Sequence, residues 1–97
     1  MEENSVGQAP ESGPSVNTVL AVMIEQLASI AWQRLGLQSD PFSGKTERDL
    51  DQARRAIDAV AAIAPILSSK LDDDDRRQIS NLVNDLRANY VNQISQS

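Results

Sequence analysis

Cysteine is absent from this 97-residue chain, and so is histidine. The first absence excludes disulfides and thiolate chemistry. The second removes the commonest general base near neutral pH and the commonest transition-metal ligand. Only three aromatic residues occur, Trp32, Phe42 and Tyr90, too few to wall a pocket that stacks on a cofactor. Basic residues are outnumbered nine to fourteen by acidic ones, for a net charge of −5. Free nucleic acid is therefore disfavoured as a general partner, because neutralising phosphates needs a cationic face. A membrane-spanning run is missing too, since Glu25, Gln26, Gln33 and Arg34 break the most apolar segment. The chain starts with acidic residues, Glu2 and Glu3, where a signal peptide would be basic. A cytoplasmic protein of one small domain is expected. Chains of this size are often marginal without staples or oligomerisation.

What is present is dominated by one segment. From Val19 to Leu35 the chain is apolar around most of a helical circumference. At about 100° per residue, Thr18, Glu25, Gln26, Ser29 and Gln33 share one narrow polar stripe. Leu20, Met23, Ile24, Leu27, Ala28, Ile30, Ala31 and Leu35 cover an arc of roughly 220° around the rest. Val22 and Trp32 crowd the stripe's edges, and only Arg34 interrupts the oily side. Most surface helices need about half that width. A helix this apolar must be covered on several sides, and a short chain has little with which to cover it. That points to a partner surface.

The rest of the chain reads as an all-α protein. Residues 1–16, rich in Gly, Pro, Ser and Glu, cannot offset their ordering entropy by burial and are expected to be a disordered tail. A helical domain over 17–94 follows, with helices over about 18–35, 49–67 and 72–94. Asn17 or Thr18 is expected to cap the first, and Gly36 to end it in the left-handed conformation. Residues 37–48 hold the turn signals Asp40-Pro41 and Ser43-Gly44. Asp49, with Gln52 three residues on, gives a capping-box start to the second helix. Leu50, Ala53, Ile57, Val60, Ala64 and Leu67 form its seam, with alanines around it. Pro65 is expected to end or kink that helix. Asp72 to Asp75 occupy the first turn of the third helix, where carboxylates meet the positive end of its dipole. Asp72–Arg76 and Asp73–Arg77 are spaced as i,i+4 pairs. Ile79, Leu82, Val83, Leu86, Tyr90 and Ile94 form its apolar stripe. No strand-like alternation and no internal repeat is visible.

Motifs that could carry chemistry have plainer readings. Ser43-Gly44-Lys45-Thr46 resembles the end of a phosphate-binding loop, but Ser39 stands where that motif needs glycine. A surface turn accounts for it. The aspartate run lacks the alternating ligands, central glycine and distal glutamate of a calcium loop. Helix capping accounts for it. Lys45, Arg48, Arg54 and Arg55 form the only basic cluster, which could meet an acidic partner or ribosomal RNA. Glu47, Asp49, Asp51 and Asp58 dilute it. Asp58 follows the seam residue Ile57, and Arg87 follows Leu86. The two could form an ion pair between the second and third helices that fixes register. The alternative is two separate surface charges, with Asp58 paired to Arg54 one turn earlier.

With these segments placed, the chain resembles a small bacterial family, domain of unknown function 1844. The likeness runs from about Thr18 to Val91. It rests on Leu27-Ala28 and Leu35-Gly36, then on Gly44, Asp49-Leu50, Ala53-Arg54 and Ile57-Asp58, then on Asp85-Leu86-Arg87 and Tyr90-Val91. One departure matters. The family's Lys-Thr-x-Gly-Asn-Leu connector stands here as Ile66-Leu67-Ser68-Ser69-Lys70-Leu71, keeping only the leucine. The resemblance implies an all-helical fold in a bacterial cytoplasm and no particular activity.

The expectation is a small three-helix bundle with a disordered N-terminal tail. It has no catalytic, cofactor or metal site, and no small-molecule ligand is apparent. Its role is a protein–protein interaction or dimerisation module. Ala21, Met23, Ile24, Ile30, Ala31 and Trp32 are the interface candidates, and a homodimer is the first expected assembly. The alternative is a ribosome- or RNA-associated accessory protein.

Overall fold

Ser15 sets the first helix, two residues earlier than the caps expected from sequence. The computed structural model describes Gly13 and residues 15–96, so the expectation for the tail up to position 12 lies outside the described residues. Helix α1 runs Val16–Arg34, and the Ser15 hydroxyl accepts the Thr18 N–H at 3.2 Å. Asn17 and Thr18 are thereby helical and not caps. Serine caps as well as asparagine does, and its use here adds Val16 and Asn17 to the helix. At the other end the Leu37 N–H reaches the Trp32 carbonyl and the Gly36 N–H the Gln33 carbonyl, both at 3.0 Å. This is a Schellman closure, which requires a left-handed residue at the position of Gly36, whose φ is +81°.

Helix α2 runs Leu50–Ser68 from the expected Asp49 cap, whose carboxylate accepts the Gln52 N–H at 3.1 Å. The Asp49 N–H is turned instead to the Arg34 carbonyl, at 2.8 Å. That bond ties the end of α1 to the start of α2. The intervening chain closes on itself: Asp40 bonds through its backbone to Gly44 and Lys45, and its carboxylate accepts the Phe42 N–H at 2.7 Å. Phe42 projects from this loop 98% exposed. The helix does not end at Pro65 but continues through it to Ser68. The ring lies on an exposed position near the last turn, where the one lost backbone bond is least disruptive.

Helix α3 runs Asp73–Ser95, with Asp72 as its cap accepting the Asp75 N–H at 2.9 Å. With Asp72 so used, the ion pairs fall one residue closer than expected. Asp73 pairs with Arg76 and Asp74 with Arg77 at 3.3 Å, both i,i+3.

The expected all-α fold is observed: three helices and, among the described residues, no strand. α1 and α2 form an antiparallel hairpin, and α3 turns back along α2. The core is a line of Ile24, Ala28, Ala31 and Leu35 from α1, packed on Ala53, Ala56, Ile57, Val60, Ala64 and Leu67 from α2. α3 adds only Val83 and Leu86 as buried side chains. Its Ile79 and Leu82 lie beside Ala21, Ile24 and Glu25 near the start of α1. Buried Leu86 and exposed Phe42 are therefore opposite cases. Leu86→Ala is expected to lower unfolding stability by about 2–5 kcal/mol. Phe42→Ala is expected to stay within about 0.5 kcal/mol of wild type. Urea denaturation followed by circular dichroism reads both.

Candidate functional site: the uncovered face of the helical hairpin

α1 carries two seams, not one. Ala21, Ile24, Ala28, Ala31 and Leu35 repeat by three and four, and so do Val16, Leu20, Met23, Leu27 and Ile30. The first seam is the core line. The second lies roughly 90–100° around the helix from it, at about 100° per residue. Ala21 and Glu25 face the junction with α3, so the second seam points almost directly away from α3.

This arrangement corrects the interface expected from sequence. Ile24 and Ala31 are buried in the core of the single chain and are not available to a partner. Ala21 and Trp32 are half-buried and pack against that core. Met23 and Ile30 remain exposed, at 40% and 41%. The residues missed are Val16 and Val19, exposed at 73% and 42%, and the half-buried Leu20 and Leu27 on the same face. A signal for them exists. The α2 seam is alanine-rich, so the α1 seam that packs closely on it should be the one with alanines. The seam of large side chains is then the one left over.

α2 extends this face. Leu27 and Ile30 line a groove of about 360 Å³ with Gln52, Arg55 and Ala56. Following the antiparallel register toward the start of α1, Ile63 comes level with Leu20, and Ile66 with Val16. Ile66 is 60% exposed. The side of α2 that meets α3, marked by Arg54, Asp58, Ala61 and Pro65, is the other one. Formal charge is nearly missing from the uncovered face. Over residues 16–33 the only ionisable side chain is Glu25, and over 56–68 it is Asp58; both lie toward α3. Arg34, paired with Glu47 at 3.4 Å, and Arg55 stand at the loop end.

The expected Asp58–Arg87 pair is not formed. Both residues line one small cleft between α2 and α3, with Arg54, Ile57, Tyr90 and Val91. Within it the Asp58 carboxylate lies 3.8 Å from Arg54, and both of those side chains are well exposed. A partner four residues away on the same helix face is reached without ordering a second helix, which favours it over Arg87. Such exposed pairs contribute little.

The basic cluster does not assemble either. Arg48 donates to the Gln93 carbonyl at the end of α3 at 2.5 Å and lies along Gly36. Arg54 and Arg55 point to opposite sides of α2, into different grooves. Lys45 stays on the connecting loop. Ser43 to Thr46 form part of that loop, four to seven residues before a helix that begins only at Leu50. Among the described residues no three acidic side chains gather as metal ligands would, and no helix is long and apolar enough to cross a membrane.

Among the described residues, fold and surface together define a small helical bundle with an uncovered apolar face. The model of one family, domain of unknown function 1844, matches residues 17–92, and the chain belongs to that family. Neither the curated proteins nor the solved structures provide a match. Arg54, Ile57, Asp58, Arg87, Tyr90 and Val91, which carry part of the resemblance noted above, are the residues that line the α2–α3 cleft.

A double-mutant cycle on Asp58→Ala and Arg87→Ala, measured by chemical denaturation, is expected to return a coupling energy within about 0.5 kcal/mol of zero. A pair that fixed helix register would return more.

Proposed function

We propose that this protein is a non-catalytic helical module that self-associates or docks onto another protein in a bacterial cytoplasm. The observation that carries this reading is the second apolar seam of α1. It presents Val16, Met23 and Ile30 exposed, with Leu20 and Leu27 half-buried between them and Val19 exposed beside them, on a face that no part of the described chain covers. Monomeric proteins rarely leave a contiguous apolar patch of that extent to water. The lack of charge along the face supports an interface whose centre becomes dry. The absence of histidine and cysteine fits a role without chemistry.

The test is the mass in solution. The full chain, 10.6 kDa by sequence, is expected to scatter light as a dimer. Met23→Glu and Ile30→Glu are expected to keep the helical circular dichroism spectrum and shift the mass to that of one chain. Ile24→Glu serves as the contrast. It places a carboxylate in the core, so it is expected to unfold the domain whatever the assembly. If the two surface variants keep the wild-type mass, the face is not the interface.

A further inference from the structure

We infer that the uncovered face is occupied by a second copy of this chain, with α1 packed antiparallel on its symmetry mate about a two-fold axis at Met23. This rests on the self-association reading above and adds the partner's identity and orientation.

Three features of the face point to it. The first is its spacing. A two-fold contact is self-complementary: if one residue meets another, the reverse contact is made as well. Counted outward from Met23, Val16 and Ile30 lie equally far in opposite directions, and so do Val19 and Leu27. An antiparallel mate therefore sets Val16 on Ile30, Val19 on Leu27, and Met23 on itself. Of the seam's large side chains only Leu20 meets a polar residue, Gln26, in that register. Methionine suits the axis, because its flexible thioether can pack against its own image.

The second feature is charge. The seam continues by one more step of four residues to Arg34. A parallel mate in register would set the two Arg34 side chains against each other. The antiparallel mate separates them by roughly 30 Å, at about 1.5 Å per residue, and aligns the helix dipoles in opposition. The other charge on this face, Arg55, stands toward the same loop end, so the antiparallel mate places the two copies' Arg55 side chains on opposite sides of the axis.

The third is area. Two helices of about 28 Å lying roughly 10 Å apart present a plan face on the order of 500–600 Å². With side-chain relief this approaches the roughly 800 Å² per partner that specific dimers bury. The hairpin face is thus large enough for a stable pair, with Ile63 and Ile66 widening the contact beyond α1.

The chain has no native cysteine, so single cysteines report orientation directly. Full-length Met23→Cys, Val16→Cys and Ile30→Cys proteins would be oxidised separately, and the last two also after mixing in urea and refolding. Met23→Cys is expected to give a disulfide-linked dimer. Val16→Cys and Ile30→Cys are expected to stay largely unlinked alone and to form a mixed product together. Self-linking of Val16→Cys and of Ile30→Cys would mean a parallel pair and overturn the inference. So would a dimeric mass with no link at Met23. A single-chain mass for the reduced proteins by light scattering would sink the self-association reading itself, separately from its geometry.

Discussion

The close approach of α1 to α2 is the constraint on which the rest of this structure depends. Ala28 and Ala31 on one helix and Ala53, Ala56 and Ala64 on the other are all buried. Small side chains let two helix backbones draw near and pack densely. They also bury little apolar area per residue, so the hairpin is tightly fitted but weakly driven. Leu35, Ile57, Val60 and Leu67 supply most of the apolar bulk along this seam. Because the alanine seam is the one turned inward, the large residues of α1 are displaced to the neighbouring seam. The exposed face is thus a consequence of how the core is made.

The neck of the hairpin shows how the chain holds this geometry with few contacts. Gly36 closes α1, the Asp49 N–H meets the Arg34 carbonyl, and Arg48 runs along Gly36 to the end of α3. A side chain at Gly36 would be strained at its positive φ, and its β-carbon would rest on Arg48 at ordinary contact distance. Three helix ends are therefore fixed within a short stretch of chain. Helix termini leave backbone groups unpaired. Here those of one helix are answered by the neighbouring connection, so the loop is part of the packing and not merely a link.

Much of this was legible in the sequence, because it is written in local rules. The α2 seam emerged residue by residue from its three-four spacing, and Asp49, Gly36 and the aspartates at the start of α3 act at or within a residue of the places their chemistry suggested. What was not legible depended on choices among near-equal alternatives. Ser15, Asn17 and Thr18 are all competent caps, and only the continued helix decides between them. Pro65 breaks a helix interior but not one with three residues left. Arg54 and Arg87 both suited Asp58, and the nearer one on the same helix won. Width alone showed that α1 was too apolar for one neighbour. It could not show which part was spare, since that required knowing that alanine would face alanine.

The third helix explains why the spare part stays uncovered. α3 lies against α2 and the start of α1, all on one side of the hairpin. Its own buried contribution is two side chains, and its exposed surface is rich in Asp, Asn, Gln and Arg. A helix of that composition can close one side of a two-helix layer but has no second apolar stripe with which to reach around it. An antiparallel hairpin has two faces, and the third helix here covers only one. Under the proposed self-association the remaining face takes another layer, and the most economical source of a matching layer is the same hairpin from a second chain, since two-fold pairs are by far the commonest assemblies. In that arrangement four helices, α1 and α2 from each copy, would form the middle, with α3 on each outer side. The polar composition of α3 is then what an outer helix should have. The oily α1 is likewise what a central one requires.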